Sequence, residues 1–384
     1  MRILLANELS QIVGGMEVYL RWLAPELLAR GHELVCVTRY PAEERVRWAP
    51  RGAQSVVLDD VEQLRTVTRG CDVALTSPLS SVNLEAALVA ALPTALFAHT
   101  FYGTCVSGRK MHAFPQRRPC ERRLGWKCLA LYGPRRCGGA NPLTALRLFK
   151  RETERAQLLG RFKRIVVASQ YMAEEFVRNG VDRQRLECVP LPVERPEVPP
   201  ERVFRSQVLF LGRMTALKGI DLLLDALALL RTRGQPLEIA LAGDGAVRKV
   251  AEARAKRLGL AARFLGWVDE SERSALLAQS GVLALPSTWP EPFGLVGLEA
   301  AAQGVPTVAF DVGGIREWLV PGLNGEIAPS NPPTAHGFAA ALERALEPTH
   351  WAELSAAAFA RSGGFTPATH LSAIEKCLEI AREV

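Results

Sequence analysis

Residues 189–200, VPLPVERPEVPP, carry five prolines in twelve positions, and no other stretch constrains the fold of this chain as strongly. Proline fixes φ and donates no backbone hydrogen bond, so neither a helix nor a central strand runs through this stretch. It reads as a semi-rigid linker. A length of 384 residues suits one domain on each side of it.

Both flanks alternate between short apolar runs and helical spacing. In the first half, Arg2–Ala6, Leu34–Thr38, Ser55–Leu58, Val73–Leu75, Thr94–Ala98 and Arg164–Ala168 read as strands. Between the first two, Val18, Leu20, Leu23, Leu27 and Leu28 mark a helix over Met16–Arg30, ended by Gly31. After the linker the alternation restarts. Gln207–Leu211, Leu237–Ala242, Arg263–Leu265, Val282–Leu285 and Thr307–Phe310 are strands, and Ile220–Arg231 is a helix. Strands alternating with helices imply βαβ units and parallel sheets.

The expected fold class is therefore α/β, with two Rossmann-like doubly wound domains facing an interdomain cleft. The N-terminal domain is assigned 1–190, the linker 191–204 and the C-terminal domain 205–366. An amphipathic helix over 367–384 packs back on the first domain. In such sheets ligands bind at the carboxyl ends of the strands.

The composition, 48% hydrophobic and 23% charged, is that of an ordinary globular protein. The first seven residues hold one basic residue and only a short apolar run, too little for a secretory leader. The apolar stretch 86–98 is interrupted by Pro93 and falls short of the ~18 residues that span a bilayer. The expected location is cytoplasmic, with peripheral attachment to the inner face of the membrane left open. The net charge of +7 points to an anionic partner.

Two loops after strands carry the candidate chemistry. Gly212 and Arg213 follow Leu211, and Lys218-Gly219 precede a helix. Glycine lets the backbone approach an anion, and a helix N-terminus favours negative charge. Arg213 offers a fork and Lys218 a point charge for phosphate oxygens. Without a ligand, the same loop is a solvated turn bearing two bases.

The second loop follows Leu285 and runs through Glu291, Pro292, Phe293, Gly294 and Leu295 to Glu299. Pro292 suits a first helical turn. Gly294 leaves the amides at the helix start open. Glu299 stands five residues further on, roughly 7–8 Å along the axis at 1.5 Å per residue. One extended ligand fits that spacing, with sugar hydroxyls at Glu291, phosphate over Gly294 and Leu295, and ribose hydroxyls at Glu299. Carboxylates accept hydrogen bonds from vicinal hydroxyls. Two solvated glutamates are the plainer reading, and the alanine-rich setting of Glu299 disfavours it.

These motifs resemble the retaining glycosyltransferases of family 4, which have the GT-B fold. The resemblance covers residues 205–330. It rests on the stretch Gly212–Gly219, on Ala242-Gly-Asp-Gly245, Phe264–Val268, Pro286-Ser287 and the pair Glu291/Glu299, with Asp311–Glu317 and Gly322–Gly325.

The resemblance implies sugar transfer from a nucleoside-diphosphate donor to an acceptor, with retention of anomeric configuration and without a required metal. Arg213 and Lys218 would hold the diphosphate, Gly266, Trp267 and Val268 would border the nucleobase, Glu291 would face the sugar and Glu299 the ribose. Gly14 and Gly15 resemble the family's glycine loop beside the donor phosphate. His99, at the end of the strand Thr94–Ala98, matches its cleft histidine, whereas an isolated histidine is more often structural. The implied setting is cell-surface polysaccharide or glycolipid synthesis.

The insert 105–137 holds nine Lys and Arg against Glu121 alone. It also holds Cys105, Cys120, Cys128 and Cys137, in the spacing C-x14-C-x7-C-x8-C. No CxxC knuckle is present. Three readings stay open: reduced structural thiols, a four-cysteine site for zinc or another metal, and disulfides, the last disfavoured in a reducing compartment. Cys36, Cys71, Cys188 and Cys377 read as small buried hydrophobes. For the charge, an anionic membrane or a lipid-linked acceptor ranks ahead of a solvated loop, with nucleic acid third.

Rival functions are a GT-B nucleotide-sugar epimerase or hydrolase, and a non-catalytic nucleotide- or metal-binding module. A nicotinamide dehydrogenase lacks its G-x-G-x-x-G after either first strand. The nucleobase, sugar and acceptor are not encoded in any recognisable motif.

Overall fold

The computed structural model describes residues 1–12, 15–41, 47–235 and 237–383. Among these residues the chain divides into two units. The first comprises Met1–Arg109, Glu121–Pro190 and the stretch from Ala368 onward; the second comprises Lys110–Cys120 and Leu191–Pro367.

The first unit is built on a seven-stranded sheet. Its strands are β1 (Arg2–Leu9), β2 (Glu33–Tyr40), β3 (Gln54–Val57), β4 (Val73–Thr76), β5 (Thr94–Ala98), β8 (Arg164–Val167) and β9 (Leu186–Cys188), in the order β3-β2-β1-β4-β5-β8-β9. A short antiparallel pair, β6 (Met111–His112) and β7 (Arg118–Pro119), lies between β5 and β8 in the chain. Every pairing in the large sheet is parallel. β4 and β5 are buried along their whole length, as strands covered on both faces must be. The crossovers contain α1 (Gly15–Ala29), α2 (Val61–Thr68), α3 (Val82–Ala91), α4 (Trp126–Leu131), α5 (Pro142–Leu159) and α6 (Gln170–Arg178).

The second unit repeats the design with six strands: β10 (Gln207–Leu211), β11 (Glu238–Ala242), β12 (Ala262–Gly266), β13 (Val282–Leu285), β14 (Thr307–Phe310) and β15 (Gly325–Ala328). Their order is β12-β11-β10-β13-β14-β15. The order reverses between β10 and β13, and such switch points open a crevice at the carboxyl ends of the strands. The corresponding reversal in the first sheet lies between β1 and β4. The second unit's helices are α7 (Ile220–Thr232), α8 (Arg248–Arg257), α9 (Glu270–Gln279), α10 (Leu295–Ala302), α11 (Ala335–Ala345) and α12 (Pro348–Ser362).

The chain then returns through α13 (Pro367–Glu383), which buries Leu371, Ile374, Cys377 and Leu378. His370 of α13 donates from Nδ1 to the Pro190 carbonyl at 2.7 Å and accepts at Nε2 from the Tyr19 hydroxyl at 2.8 Å. A carbonyl only accepts, so this tautomer follows. Burial pushes His370 down to about 4, keeping it neutral.

Three expectations need correction. β9 and β15 were not foreseen, because one is three half-buried residues and the other opens on Gly325 and Glu326 rather than an apolar run. Pro292 is not helical: α10 starts at Leu295, after Gly294 in the left-handed region at φ 81°. Cys71 and Cys188 are only half-buried, unlike Cys36 and Cys377, whose thiols burial pushes up to about 12.

The insert also divides. Lys110–Cys120 groups with the second unit, where Arg117 forms a fork on Asp221 of α7, with contacts of 3.0 and 2.9 Å.

Candidate functional site

In the second unit the two candidate loops are locked together at the carboxyl ends of β10 and β13. Gly219, at φ 64°, lies so close to the end of β13 that a Cβ there would stand 1.9 Å from the Pro286 carbonyl oxygen. The Thr288 amide donates to the Leu217 carbonyl at 3.0 Å, and the Ser287 hydroxyl to the same oxygen at 3.3 Å. This packing delivers Lys218 to Glu291: Nζ donates to Oε1 at 2.6 Å. Glu291 is 4% exposed, and the ammonium also lies 5.8 Å from the Trp289 ring centroid.

The backbone of Glu291 is held from the other side. Its carbonyl accepts from the Gly314 amide at 2.7 Å, and a Cβ on Gly313 would stand 2.1 Å from that carbonyl oxygen. Phe293 is buried, and its carbonyl accepts from Trp318 Nε1 at 2.7 Å.

Next to this pair α10 begins at Leu295, with no side chain capping it. Its first amides point to the region where an anion is favoured by the helix dipole. Glu299 accepts from Arg273 Nη1 of α9 at 2.9 Å. Burial pushes its carboxyl up, opposed by Arg273. The spacing expected for one extended ligand is therefore occupied by a paired carboxylate at each end and open helix amides between. Arg213 is exposed beside Gly212, whose amide donates to the Ala242 carbonyl at 3.1 Å.

The segment expected to border a nucleobase lies at the ends of β11 and β12. Gly243 donates to the Gly266 carbonyl at 2.6 Å. Trp267 is 76% exposed, and Val268 packs partly buried against the core. Arg248 escaped the sequence reading here, and Asp244 entered it only within the motif Ala242–Gly245. Arg248 Nη1 donates to Asp244 at 3.0 Å, and the same nitrogen would lie 3.1 Å from a Cβ on Gly266. The glycines flanking Asp244 drew attention, while its side chain and Arg248 gave no signal of their own.

The first unit holds a separate cluster at the carboxyl ends of β1, β4 and β5. Asn7 Nδ2 donates to Glu17 Oε1 at 3.1 Å, and the Ser77 hydroxyl donates to Asn7 Oδ1. All three are buried. His99 follows β5, and its Nδ1 is buried without a hydrogen-bond partner. Burial holds His99 below the usual imidazole range; the Phe97 carbonyl and the Glu17 carboxylate oppose this without cancelling it. A neutral imidazole with an unsatisfied nitrogen is suited to a polar ligand group. Glu17, Asn7 and Ser77 were not foreseen, although Glu17 stands only two residues after Gly15. Gly15 opens α1 at a point where an added Cβ would meet no heavy atom within 4 Å, and Gly14 lies outside the described residues.

The loop behind His99 is pinned by buried charge. Glu85 of α3 accepts from the Leu79 amide and the Tyr102 hydroxyl, both at 2.7 Å. Arg155 of α5 donates to Glu152 at 2.8 Å, and Glu152 accepts from the Gly103 amide at 3.0 Å. The Arg155 guanidinium lies 4.8 Å over the Tyr102 ring and 3.6 Å from Glu85. Burial pushes Glu85 up to about 7, against the pull of Arg155.

The folded state thus holds the Glu85 proton more tightly than the unfolded chain. Its stabilising contribution is complete in acid and is lost as pH rises through about 7. Glu85→Gln is expected to lack this loss. In thermal melts the variant gains on the parent by on the order of 5 °C between pH 5 and pH 8. A constant difference across that range would show that Glu85 does not titrate there.

Among the described residues no group of three or more His, Cys, Asp and Glu is placed to hold a metal ion. Cys105 Sγ lies 3.6 Å from the Ser107 hydroxyl, Cys128 Sγ donates to the Arg123 carbonyl at 3.6 Å, and Cys137 Sγ to the Leu131 carbonyl at 3.9 Å. Cys128 and Cys137 pack beside Tyr132 and Ala145, and Cys120 is buried in the segment that groups with the second unit. Among the described residues no helix is long and apolar enough to cross a membrane.

Comparison with known proteins matches both halves of the chain. The family described as "Glycosyl transferases group 1" matches residues 196–358, and the "Glycosyl transferase 4-like domain" matches residues 14–192. Glycogen synthase of Mycobacterium tuberculosis is 35% identical over 173 residues, which is 44% of this chain and 39% of that protein. The phosphatidyl-myo-inositol mannosyltransferase of the same organism is 36% identical over 143 residues, 35% of this chain and 38% of that one. The matched stretches thus span about two-fifths of the relatives' own length.

Among solved structures, Anabaena HepE in complex with UDP and glucose superposes with a TM-score of 0.72 at 18% identity, over 99% of both chains. Sucrose-phosphate synthase from Thermosynechococcus elongatus superposes with a TM-score of 0.71 at 20% identity, over 98% of this chain and 97% of that one. These likenesses concern the fold, which is GT-B. Since the two matches together cover most of the chain and meet at the proline linker, the chain belongs to the family-4-type, group 1 glycosyltransferases.

Proposed function

We propose that this protein transfers a sugar from a nucleoside-diphosphate donor to an acceptor hydroxyl, with retention at the anomeric carbon. The observation that carries the reading is the Lys218–Glu291 contact beside the uncapped start of α10. A diphosphate over Gly294 and Leu295 would meet the helix amides, with Lys218 and Arg213 adding charge. Fixed positive groups of this kind stabilise a leaving phosphate as negative charge builds on it.

In the step itself the bond between the anomeric carbon and the β-phosphate oxygen breaks. The acceptor oxygen bonds to the same face, and the acceptor proton passes to the departing phosphate. Glu291 would orient the sugar hydroxyls and Glu299 the ribose hydroxyls. Support for a nucleotide-sugar donor comes from the HepE complexes, one with UDP and glucose and another with UDP-glucose. Acceptors of lipid-linked or cell-surface saccharide type fit the basic insert.

A thermal-shift panel of nucleoside diphosphates and their sugars tests this. One base series is expected to raise Tm by about 3–8 °C near saturation. No stabilisation by any nucleotide would remove the donor site from the second unit. Release of free or epimerised sugar without an acceptor, and no transfer with one, would favour the epimerase or hydrolase reading.

A further inference from the structure

The donor-site reading leaves most of the positive charge that follows β5 without a use. Residues 105–151 hold twelve of the 47 Lys and Arg but one of the 40 Asp and Glu, a net of +11 that leaves the rest of the chain at −4. Within this stretch α4 and α5 pack on each other over a small local core of Val106, Tyr132 and Ala145, flanked by Leu129, Leu148 and Phe149. The inward positions are therefore satisfied. Yet three large apolar side chains remain outside: Trp126 is 71% exposed, Leu143 76% and Leu146 54%.

On α5 the exposed residues follow one line. Leu143, Leu146, Arg147 and Lys150 stand at i, i+3, i+4 and i+7, one stripe of a helix with apolar residues in its first turns and basic residues after them. On α4, Lys127 and Trp126 are neighbours, with the ammonium 5.8 Å from the ring centroid.

We propose that the outer face of α4 and α5 docks on an anionic lipid surface. An exposed tryptophan suits the headgroup level, and two leucines reach the acyl boundary. Lys127, Arg147 and Lys150 add electrostatic attraction to an anionic leaflet, which together with the apolar contacts holds the face there reversibly. Charge alone would serve nucleic acid equally well. A single-strand binder, however, stacks bases on several aromatic rings, and the α5 stripe is leucine. This inference goes beyond the sugar-transfer reading and does not depend on it.

The test is flotation of the full-length protein with vesicles of phosphatidylcholine alone or with roughly 30% phosphatidylglycerol, at about 0.05 and 0.5 M salt. Binding is expected with the anionic vesicles only, reduced about tenfold or more at high salt. Two variants separate the contributions: Trp126→Ala/Leu143→Ala/Leu146→Ala, and Lys127→Glu/Arg147→Glu/Lys150→Glu. All six positions are exposed, so both variants are expected to melt like the parent. Each is expected to lose at least about tenfold in vesicle partitioning, with any nucleotide-induced thermal shift unchanged. Equal flotation with both vesicle types, or parental flotation of both variants, would overturn the proposal. So would an oligonucleotide that binds the parent when anionic vesicles do not. A failed nucleotide panel would strike only the donor-site reading, because flotation is read without substrate.

Discussion

Lys218→Met is expected to lower kcat/KM for sugar transfer by about 10²–10³-fold, the scale of one charge-stabilising group lost from a transition state. It is also expected to cost about 3 kcal/mol of stability, because it strands the buried Glu291 carboxylate. These two effects have different origins and can be separated. Glu291→Gln added to Lys218→Met removes the stranded charge, so Tm should return toward the parent. Turnover should not, since the phosphate still lacks its cation and the sugar its carboxylate. Recovery of both in the double variant would mean that the pair is only structural. Arg213→Ala provides the complementary case. Its exposed side chain predicts an unchanged Tm with a comparable loss of turnover.

The second large effect concerns the glycines that bring the loops together. Gly219→Ala and Gly313→Ala each put a Cβ inside contact distance of backbone, at 1.9 Å from the Pro286 oxygen and 2.1 Å from the Glu291 oxygen. Both positions also have left-handed φ, 64° and 60°. Backbone strain and overlap, each about 1–3 kcal/mol, then add, and a loss of about 3–5 kcal/mol is expected. Gly322→Ala provides the control. Its φ is 73°, but no heavy atom lies within 4 Å of the added Cβ, so only the conformational cost of about 1 kcal/mol remains. Denaturant melts of the three variants test this ordering. Equal losses would mean that close approach of the loops contributes nothing beyond backbone strain.

Much of the fold was legible because parallel strands covered on both faces must be continuously apolar. Gln207–Leu211, Val282–Leu285 and Thr307–Phe310 are observed with the bounds read from sequence. Two strands of the large sheets escaped, Leu186–Cys188 and Gly325–Ala328, and both lie at sheet edges, where one flank is unpaired and the apolar demand is weaker; the two-residue pair Met111–His112 and Arg118–Pro119 is too short to show a pattern. The residues proposed for the donor side stand out in the sequence for a different reason. Glycines, Glu291 and Lys218 stand at strand–helix junctions, where local sequence already limits what the backbone and an anion can do. Glu17, Asn7 and Ser77 were not legible, because their junctions are 70 residues apart in the chain between Asn7 and Ser77 and meet only when β1 pairs with β4.

The sequence by itself determined the two α/β units, the proline break between them, the order of the strand–helix junction motifs and the concentration of positive charge after β5. All of these are set within a few residues or by simple composition. Only the tertiary structure decided that Lys218 pairs with Glu291 across 73 residues, and that Glu299 pairs with Arg273. The same holds for the division of the basic insert between units and the exposed apolar stripe of α5. The physical reason is that an ion pair, a shared metal or an exposed face is a property of distance and burial. Chain spacing fixes neither once a sheet has folded residues from remote junctions onto one edge.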